Sequence, residues 1–126
     1  MQTSRSITTL RTLFVEDNHY LRNVIGELLQ DEGLSVISCA TADEAEMEFR
    51  REPFKLLITD VNRLPARSGC DLAKRLLNMS PNTWVVFLSG YAVDSNLMAM
   101  GRNIRSLRKP FEVETLQALL REIRNG

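Results

Sequence analysis

The chain has 126 residues with 16 acidic and 16 basic side chains, 44% apolar residues and 25% charged residues. This length fits one domain, expected over 1–126 with its core at about 9–125. The composition excludes the disordered, collagenous and membrane-spanning classes, and the zero net charge argues against a nucleic-acid-binding module. Residues 1–8 lack the apolar run of a signal peptide, and Cys39 and Cys70 form no metal-binding motif. We therefore expect a cytoplasmic protein with reduced cysteines and no membrane partner.

Short apolar runs alternate with segments of helical periodicity along the chain. The apolar runs predict strands over 10–15, 34–39, 56–59, 84–88 and 104–108. The third and fourth runs do not alternate with polar residues, which is typical of parallel strands covered on both faces. Five strands alternating with five helices predict a doubly wound α/β fold with a parallel sheet.

The first predicted helix has an apolar face and clear signals at both ends. Its apolar face comprises Leu21, Val24, Ile25, Leu28 and Leu29. Asn18 is suited to cap the start of this helix, and Gly33 is suited to follow its last turn.

The second predicted helix begins with a capping box formed by Thr41 and Glu44. It is expected to end near Glu52, because Pro53 disfavours helical geometry in the residue before it. The remaining helices are predicted over 70–79, 93–101 and around 116–123.

Chemically reactive side chains follow four of the five predicted strands. They are Glu16 and Asp17 after the first strand, Asp60 after the third, Ser89 after the fourth and Lys109 after the fifth. In doubly wound sheets ligands lie beyond the carboxyl ends of the strands, where the strand order reverses. Three carboxylates brought together there would repel one another and bind a hard cation, Mg²⁺ or Mn²⁺. An aspartate beside such a cation, an ammonium and a hydroxyl is suited to accept a phosphoryl group.

Four short motifs stand at these strand ends. They are Phe14-Val15-Glu16-Asp17, Leu57-Ile58-Thr59-Asp60, Phe87-Leu88-Ser89-Gly90 and Lys109-Pro110-Phe111. In this order the chain resembles the response regulator receiver domains of two-component signalling. The resemblance implies a flavodoxin-like three-layer sandwich with strand order 2-1-3-4-5. It also implies a signalling domain rather than an enzyme, although one able to catalyse its own phosphorylation and dephosphorylation.

The resemblance also implies a role for each matched residue. Asp60 would be the phosphoacceptor, and Ser89 and Lys109 would bind the phosphoryl group. The implied Mg²⁺ or Mn²⁺ ligands are Glu16 through water, Asp17, Asp60 and the backbone carbonyl of Asn62. The phosphoryl donor would be a sensor histidine kinase or a phosphotransfer protein, and phosphorylation would switch a surface that binds a downstream protein.

The chain departs from the family pattern at four places, the first of which is Glu16, where the family more often has aspartate. Pro65 and Gly69 lie one residue further beyond Asp60 than is usual, so the intervening loop carries an insertion. The segment that leads to Lys109 is slightly shorter than usual. Ser106 stands where the family usually has the aromatic residue that reports phosphorylation by moving inward. The phosphorylation chemistry is thus expected to be intact, whereas its usual reporter is missing.

Two alternatives remain open at this point. The departures suit a pseudo-receiver, a protein-interaction module that is never phosphorylated. A haloacid-dehalogenase-like phosphatase would also form an aspartyl phosphate, but that family carries its nucleophile on the first core strand in an Asp-x-Asp motif. Here the acidic pair comes first and Asn62 takes the place of the second aspartate, so the order of motifs favours the receiver.

Overall fold

A computed structural model describes residues 9–61, 68–91, 93 and 95–126, in which strands and helices alternate. The strands are β1 (Arg11–Val15), β2 (Ser35–Cys39), β3 (Leu56–Asp60), β4 (Trp84–Ser89) and β5 (Ile104–Arg108). The helices are α1 (His19–Asp31), α2 (Ala42–Arg51), α3 (Gly69–Met79), α4 (Ser95–Met98) and α5 (Val113–Asn125). Within these residues, no helix combines the length and apolar character needed to cross a bilayer.

The strands form one sheet in the order β2-β1-β3-β4-β5, and each neighbouring pair is parallel. The predicted doubly wound topology is therefore confirmed. Val15 of β1 pairs in register with Thr59 of β3, which brings the next residues, Glu16 and Asp60, to the same edge of the sheet. This edge lies at the switch point of the strand order, where doubly wound folds bind their ligands.

Apolar side chains fill both faces of the sheet and define three layers. On one face, Leu57 and Phe87 belong to a core that includes residues of α2 and α3. On the other face, Ile58 and Val86 belong to a core that includes residues of α1 and α5. Because successive side chains of a strand point to opposite faces, adjacent residues of β3 and β4 serve different cores. The sheet is thus covered on both sides, as its unbroken apolar runs predict.

The helix ends follow the predicted capping signals. Asn18 accepts a hydrogen bond from the Leu21 amide at 2.9 Å, which satisfies one free N–H of the first turn of α1. Thr41 and Glu44 form the complete capping box of α2. Gly33 adopts a φ of +89° just beyond α1, a conformation that side chains with a Cβ rarely adopt.

Two details of the predicted helices are wrong. Val24 is 46% exposed rather than buried, because the buried stripe of α1 runs through Ile25, Gly26 and Leu29. Gly26 faces β2, since a Cβ there would lie in ordinary van der Waals contact, 3.4 Å from the Ser38 hydroxyl oxygen. The helix predicted over 93–101 is reduced to the four residues of α4, and a turn at 99–100 follows it.

Both cysteines are free thiols, as predicted. Burial raises the pKa of Cys39 to about 12, and nearby Glu44 and Glu48 contribute to this rise. Burial also raises the pKa of Cys70, whose thiol donates to the Val61 carbonyl at 3.6 Å. The raised pKa values disfavour the thiolate form, so neither cysteine is suited to act as a nucleophile.

Candidate functional site

The carboxyl ends of β1 and β3 present two buried carboxylates at the switch point. Glu16 follows β1 and is 2% exposed, whereas Asp60 ends β3 and is 5% exposed. The backbone continues the sheet on both sides, because the Glu16 amide donates to the Cys39 carbonyl and the Val61 amide donates to the Leu88 carbonyl. These bonds fix where each acidic side chain leaves the sheet.

Lys109 brings an ammonium group to the same place from β5. Its amide donates to the Ser89 carbonyl at 2.7 Å, so the chain is still paired with β4 where the side chain departs. Its Nζ donates to Asp60 Oδ2 at 2.8 Å and lies 3.8 Å from Glu16 Oε1. One ammonium thus faces two buried carboxylates. The Lys109–Pro110 peptide bond is cis.

The carboxyl group of Glu16 has a raised pKa and one buried oxygen that accepts no hydrogen bond from the part of the chain that the structure describes. Burial is the largest cause that raises the pKa of its carboxyl, and the Asn18 amide and the Lys109 ammonium oppose this effect. The neighbouring Asp17 and Asp60 raise the pKa further. Oε2 accepts from the Asn18 amide at 3.1 Å, whereas the buried Oε1 has no hydrogen-bond partner among the described residues. An oxygen in this state is available to a ligand that can donate or coordinate.

We expect Glu16→Gln to stabilise the metal-free chain at neutral pH. Because folding raises the pKa of Glu16 above 4.5, the folded chain holds this proton more tightly than the unfolded chain does. The protonated Glu16 carboxyl therefore contributes its full stabilisation below the pKa that Glu16 has in the unfolded chain. This stabilisation is lost as the pH rises through the pKa that Glu16 has in the folded chain. Urea unfolding in EDTA at about pH 4 and pH 7 would measure the free energy of unfolding of both chains. The free energy of unfolding of Glu16→Gln should increase relative to that of the unaltered chain as the pH rises. A difference in the free energy of unfolding between the two chains that does not change with pH would contradict the raised pKa of Glu16.

The oxygen donors at this edge suit a hard divalent cation. Asp17 is exposed beside buried Glu16 and Asp60, and Glu16 Oε1, which accepts no hydrogen bond from the described residues, is an oxygen that a cation or its bound water could satisfy. In residues 9–61, 68–91, 93 and 95–126, no three acidic, histidine or cysteine side chains are already arranged as a metal site. Asn62, the remaining predicted ligand, lies outside the described residues, as does Pro65. The Mg²⁺ site therefore stays a prediction.

Ser89 lies at the end of β4, one strand away from Asp60. It is 9% exposed, and its hydroxyl oxygen accepts a hydrogen bond from the Tyr91 amide at 3.0 Å. Its own hydroxyl proton remains available to donate. Ser106, at the position of the missing aromatic residue, is exposed on β5 between buried Ile104 and Leu107.

Two residues near the site have contacts that the sequence did not indicate. A Cβ on Gly69, the first residue of α3, would overlap the Asp60 carbonyl oxygen. Arg22 of α1 donates to the backbone carbonyls of Glu16 and Asp17. A cationic side chain so near the start of a helix, where the dipole favours acids, is the one sequence signal that would have drawn attention to Arg22.

Comparison with known proteins agrees with this architecture. A family model described as the response regulator receiver domain matches residues 12–121, and the chain belongs to that family. Family membership decides against the haloacid-dehalogenase-like alternative. The response regulator receiver protein CpdR of Brucella abortus is 30% identical over 111 residues, which are 84% of this chain and 89% of that protein. Three other curated relatives are longer, and the match covers only 24–25% of their length.

Solved receiver structures are similar over nearly the whole chain. The receiver domain from the hybrid histidine kinase CckA is 30% identical, with a TM-score of 0.74, and the match covers 90% of this chain and 97% of that one. The chemotaxis protein CheY4 of Vibrio cholerae is 25% identical, with a TM-score of 0.81 and coverage of 92% and 99%. The flavodoxin-like receiver fold predicted from the motifs is therefore confirmed.

Proposed function

We propose that this receiver domain accepts a phosphoryl group on Asp60 in the presence of Mg²⁺ and thereby switches a partner-binding surface. The observation that carries the proposal is the 2.8 Å bond between Lys109 Nζ and Asp60 Oδ2 at the switch point of the sheet. An ammonium held against a buried carboxylate is placed to neutralise charge that a phosphoryl group would bring.

The transfer step needs little rearrangement of covalent bonds. A carboxylate oxygen of Asp60 attacks phosphorus while the phosphorus–nitrogen bond of a phosphohistidine breaks, and the imidazole nitrogen keeps the bonding electrons and takes up a proton. Lys109 then binds the transferred group, and the Ser89 hydroxyl donates a hydrogen bond to it. A Mg²⁺ held by Asp17 and Asp60, and through water by Glu16, would supply further charge neutralisation.

The donor and the output follow from the same chemistry. A sensor histidine kinase or a phosphotransfer protein would supply the phosphohistidine, and an aspartyl phosphate would bias two existing conformations of the domain. A downstream protein that binds one of these conformations would read the signal. Free Cys39 and Cys70 suit a reducing compartment, and we place the protein in the cytoplasm.

Incubation with acetyl phosphate tests the proposal. In the presence of Mg²⁺, intact mass measurement should show one added phosphoryl group, which hydroxylamine removes because it cleaves acyl phosphates. EDTA should prevent the addition, because the cation is then absent. Failure to form the adduct with either this donor or a phosphorylated histidine phosphotransfer protein would support the pseudo-receiver instead.

Lys109→Ala should slow formation of the adduct by about 100-fold, the usual effect of removing one donor that stabilises developing charge. Phosphorylation of Lys109→Ala should also fail to change the conformation of the domain, because the contact between the phosphoryl group and the end of β5 is lost. Hydrogen exchange over residues 89–113 would report this: phosphorylation should alter exchange in the unaltered chain and leave it unchanged in the variant. Lys55→Ala, an exposed lysine just before β3, is the matched control. A normal response in Lys109→Ala would contradict this role.

A further inference from the structure

Arg22 is bound to the backbone on which the acidic pair stands. Its Nη1 donates to the carbonyl oxygen of Glu16 at 2.8 Å and to that of Asp17 at 3.3 Å. Its Nη2 lies 3.2 Å from His19 Nδ1, and Asn23 contacts the other ring nitrogen at 3.3 Å. The histidine ring thus holds the guanidinium from one side while the two carbonyl groups hold it from the other.

The position of Arg22 in the helix is otherwise unfavourable. Arg22 lies at the start of α1, and its amide donates to the carbonyl of the capping residue Asn18. The helix dipole disfavours a cation at this end. The two charge-assisted bonds to backbone carbonyls compensate for this placement.

The two carbonyl groups belong to the short connection between β1 and α1. Val15 is the last residue of β1 and His19 is the first of α1, so the carbonyls of Glu16 and Asp17 lie where the chain has left the strand and not yet entered the helix. Holding these carbonyls fixes the peptide planes on both sides of the Asp17 Cα and so the direction in which its exposed side chain departs. Arg22 therefore holds the two carbonyl groups, whereas pairing with β2 holds only the Glu16 amide.

We infer that Arg22 is a positioning residue that orients Glu16 and Asp17 for a divalent cation. Both of its bonds to this segment reach carbonyl oxygens, so it leaves the carboxylate oxygens to the cation. The inference rests on the proposed function, since the cation site belongs to it. Groups that orient metal ligands from outside the coordination sphere typically change metal affinity by about 10–100-fold.

Binding of Mn²⁺, followed by the electron paramagnetic resonance signal of the free ion, tests this role without phosphorylation. We expect Arg22→Gln to weaken Mn²⁺ binding at least tenfold. The direction is informative, because removing a positive charge near a cation site would by electrostatics alone strengthen binding. Arg121→Gln, an exposed arginine of α5, is the control and should bind as the unaltered chain does.

Arg22→Lys provides a second variant that keeps the charge. A single ammonium cannot reproduce the planar contact to two carbonyls and the histidine, so we expect binding weaker than in the unaltered chain and stronger than in Arg22→Gln. Circular dichroism would establish that each chain measured is folded. Equal or tighter Mn²⁺ binding by both variants would overturn the inference and leave the proposed function standing, whereas failure of the unaltered chain to bind Mn²⁺ would overturn both.

Discussion

Asp60→Asn is expected to abolish the phosphoryl adduct while leaving the fold intact. The amide has nearly the same shape as the carboxylate and can still accept the hydrogen bond from Lys109, but it lacks the charge and nucleophilicity needed to attack phosphorus. Because the side chain is only 5% exposed, a substitution of similar volume is also the one least disruptive to packing. Intact mass after incubation with acetyl phosphate and Mg²⁺ is the measurement.

Asp31→Asn is the matched control for this prediction. Asp31 is an exposed carboxylate at the last residue of α1, at the end of that helix away from the site. The Asp31→Asn variant should accept the phosphoryl group at Asp60 to the same extent as the unaltered chain. An adduct of normal extent on Asp60→Asn would mean that another side chain is the acceptor.

Gly69→Ala is expected to cost about 1–3 kcal/mol of the free energy of unfolding, the usual range for forced overpacking. The added Cβ would overlap the Asp60 carbonyl oxygen and would lie 2.9 Å from Thr59 Oγ1. The helix start cannot easily move away, because the Cys70 amide donates to the Val61 carbonyl at 3.2 Å. The end of β3 would have to shift, and Asp60, the proposed phosphoacceptor, would shift with it.

Gly90→Ala separates this steric effect from a general effect of replacing glycine. Gly90 follows β4 near the same edge of the sheet, and a Cβ there would meet no atom within 4 Å. Urea unfolding should place Gly90→Ala within about 0.5 kcal/mol of the unaltered chain. Equal free energies of unfolding for Gly69→Ala and Gly90→Ala would show that a Cβ at residue 69 does not clash with the end of β3.

The sequence predicted the secondary structure best where local signals act alone. Asn18, Thr41 and Gly33 occupy the predicted capping positions because hydrogen bonds and backbone conformation within a few residues determine them. The outward position of Val24 was not predictable, since it depends on how α1 packs against the sheet, which buries Ile25, Gly26 and Leu29. Periodicity identifies an apolar face, but packing decides where that face is centred.

The same distinction applies to the site. The order of the strand-end motifs predicted that Asp60 and Lys109 meet, although 49 residues separate them, because parallel strands share a carboxyl edge. The contacts of Arg22 and Gly69 were missed, because both involve backbone atoms whose positions no side-chain pattern reveals. That Lys109 lies close to the Asp60 carboxylate follows from the topology, whereas the contacts that hold the surrounding backbone follow from packing.

The polar character of β5 also has an explanation within the chain. The guanidinium of Arg105 lies 5.0 Å from the centre of the Trp84 ring and pairs with Glu122 of α5 at 2.7 Å. The side-chain hydrogen bond from Arg105 lowers the pKa of Glu122. Part of the charge on this strand therefore ties β5 to its neighbouring strand and helix.

Chemical mapping of the phosphorylated residue tests the central claim most directly. Borohydride reduces an aspartyl phosphate to homoserine, which peptide mass spectrometry can locate in the chain. After incubation with acetyl phosphate and Mg²⁺, we predict homoserine at position 60 alone, and none in a sample that lacks the phosphodonor. Homoserine at position 17, or at any position other than 60, would contradict the assignment of Asp60 as the phosphoacceptor.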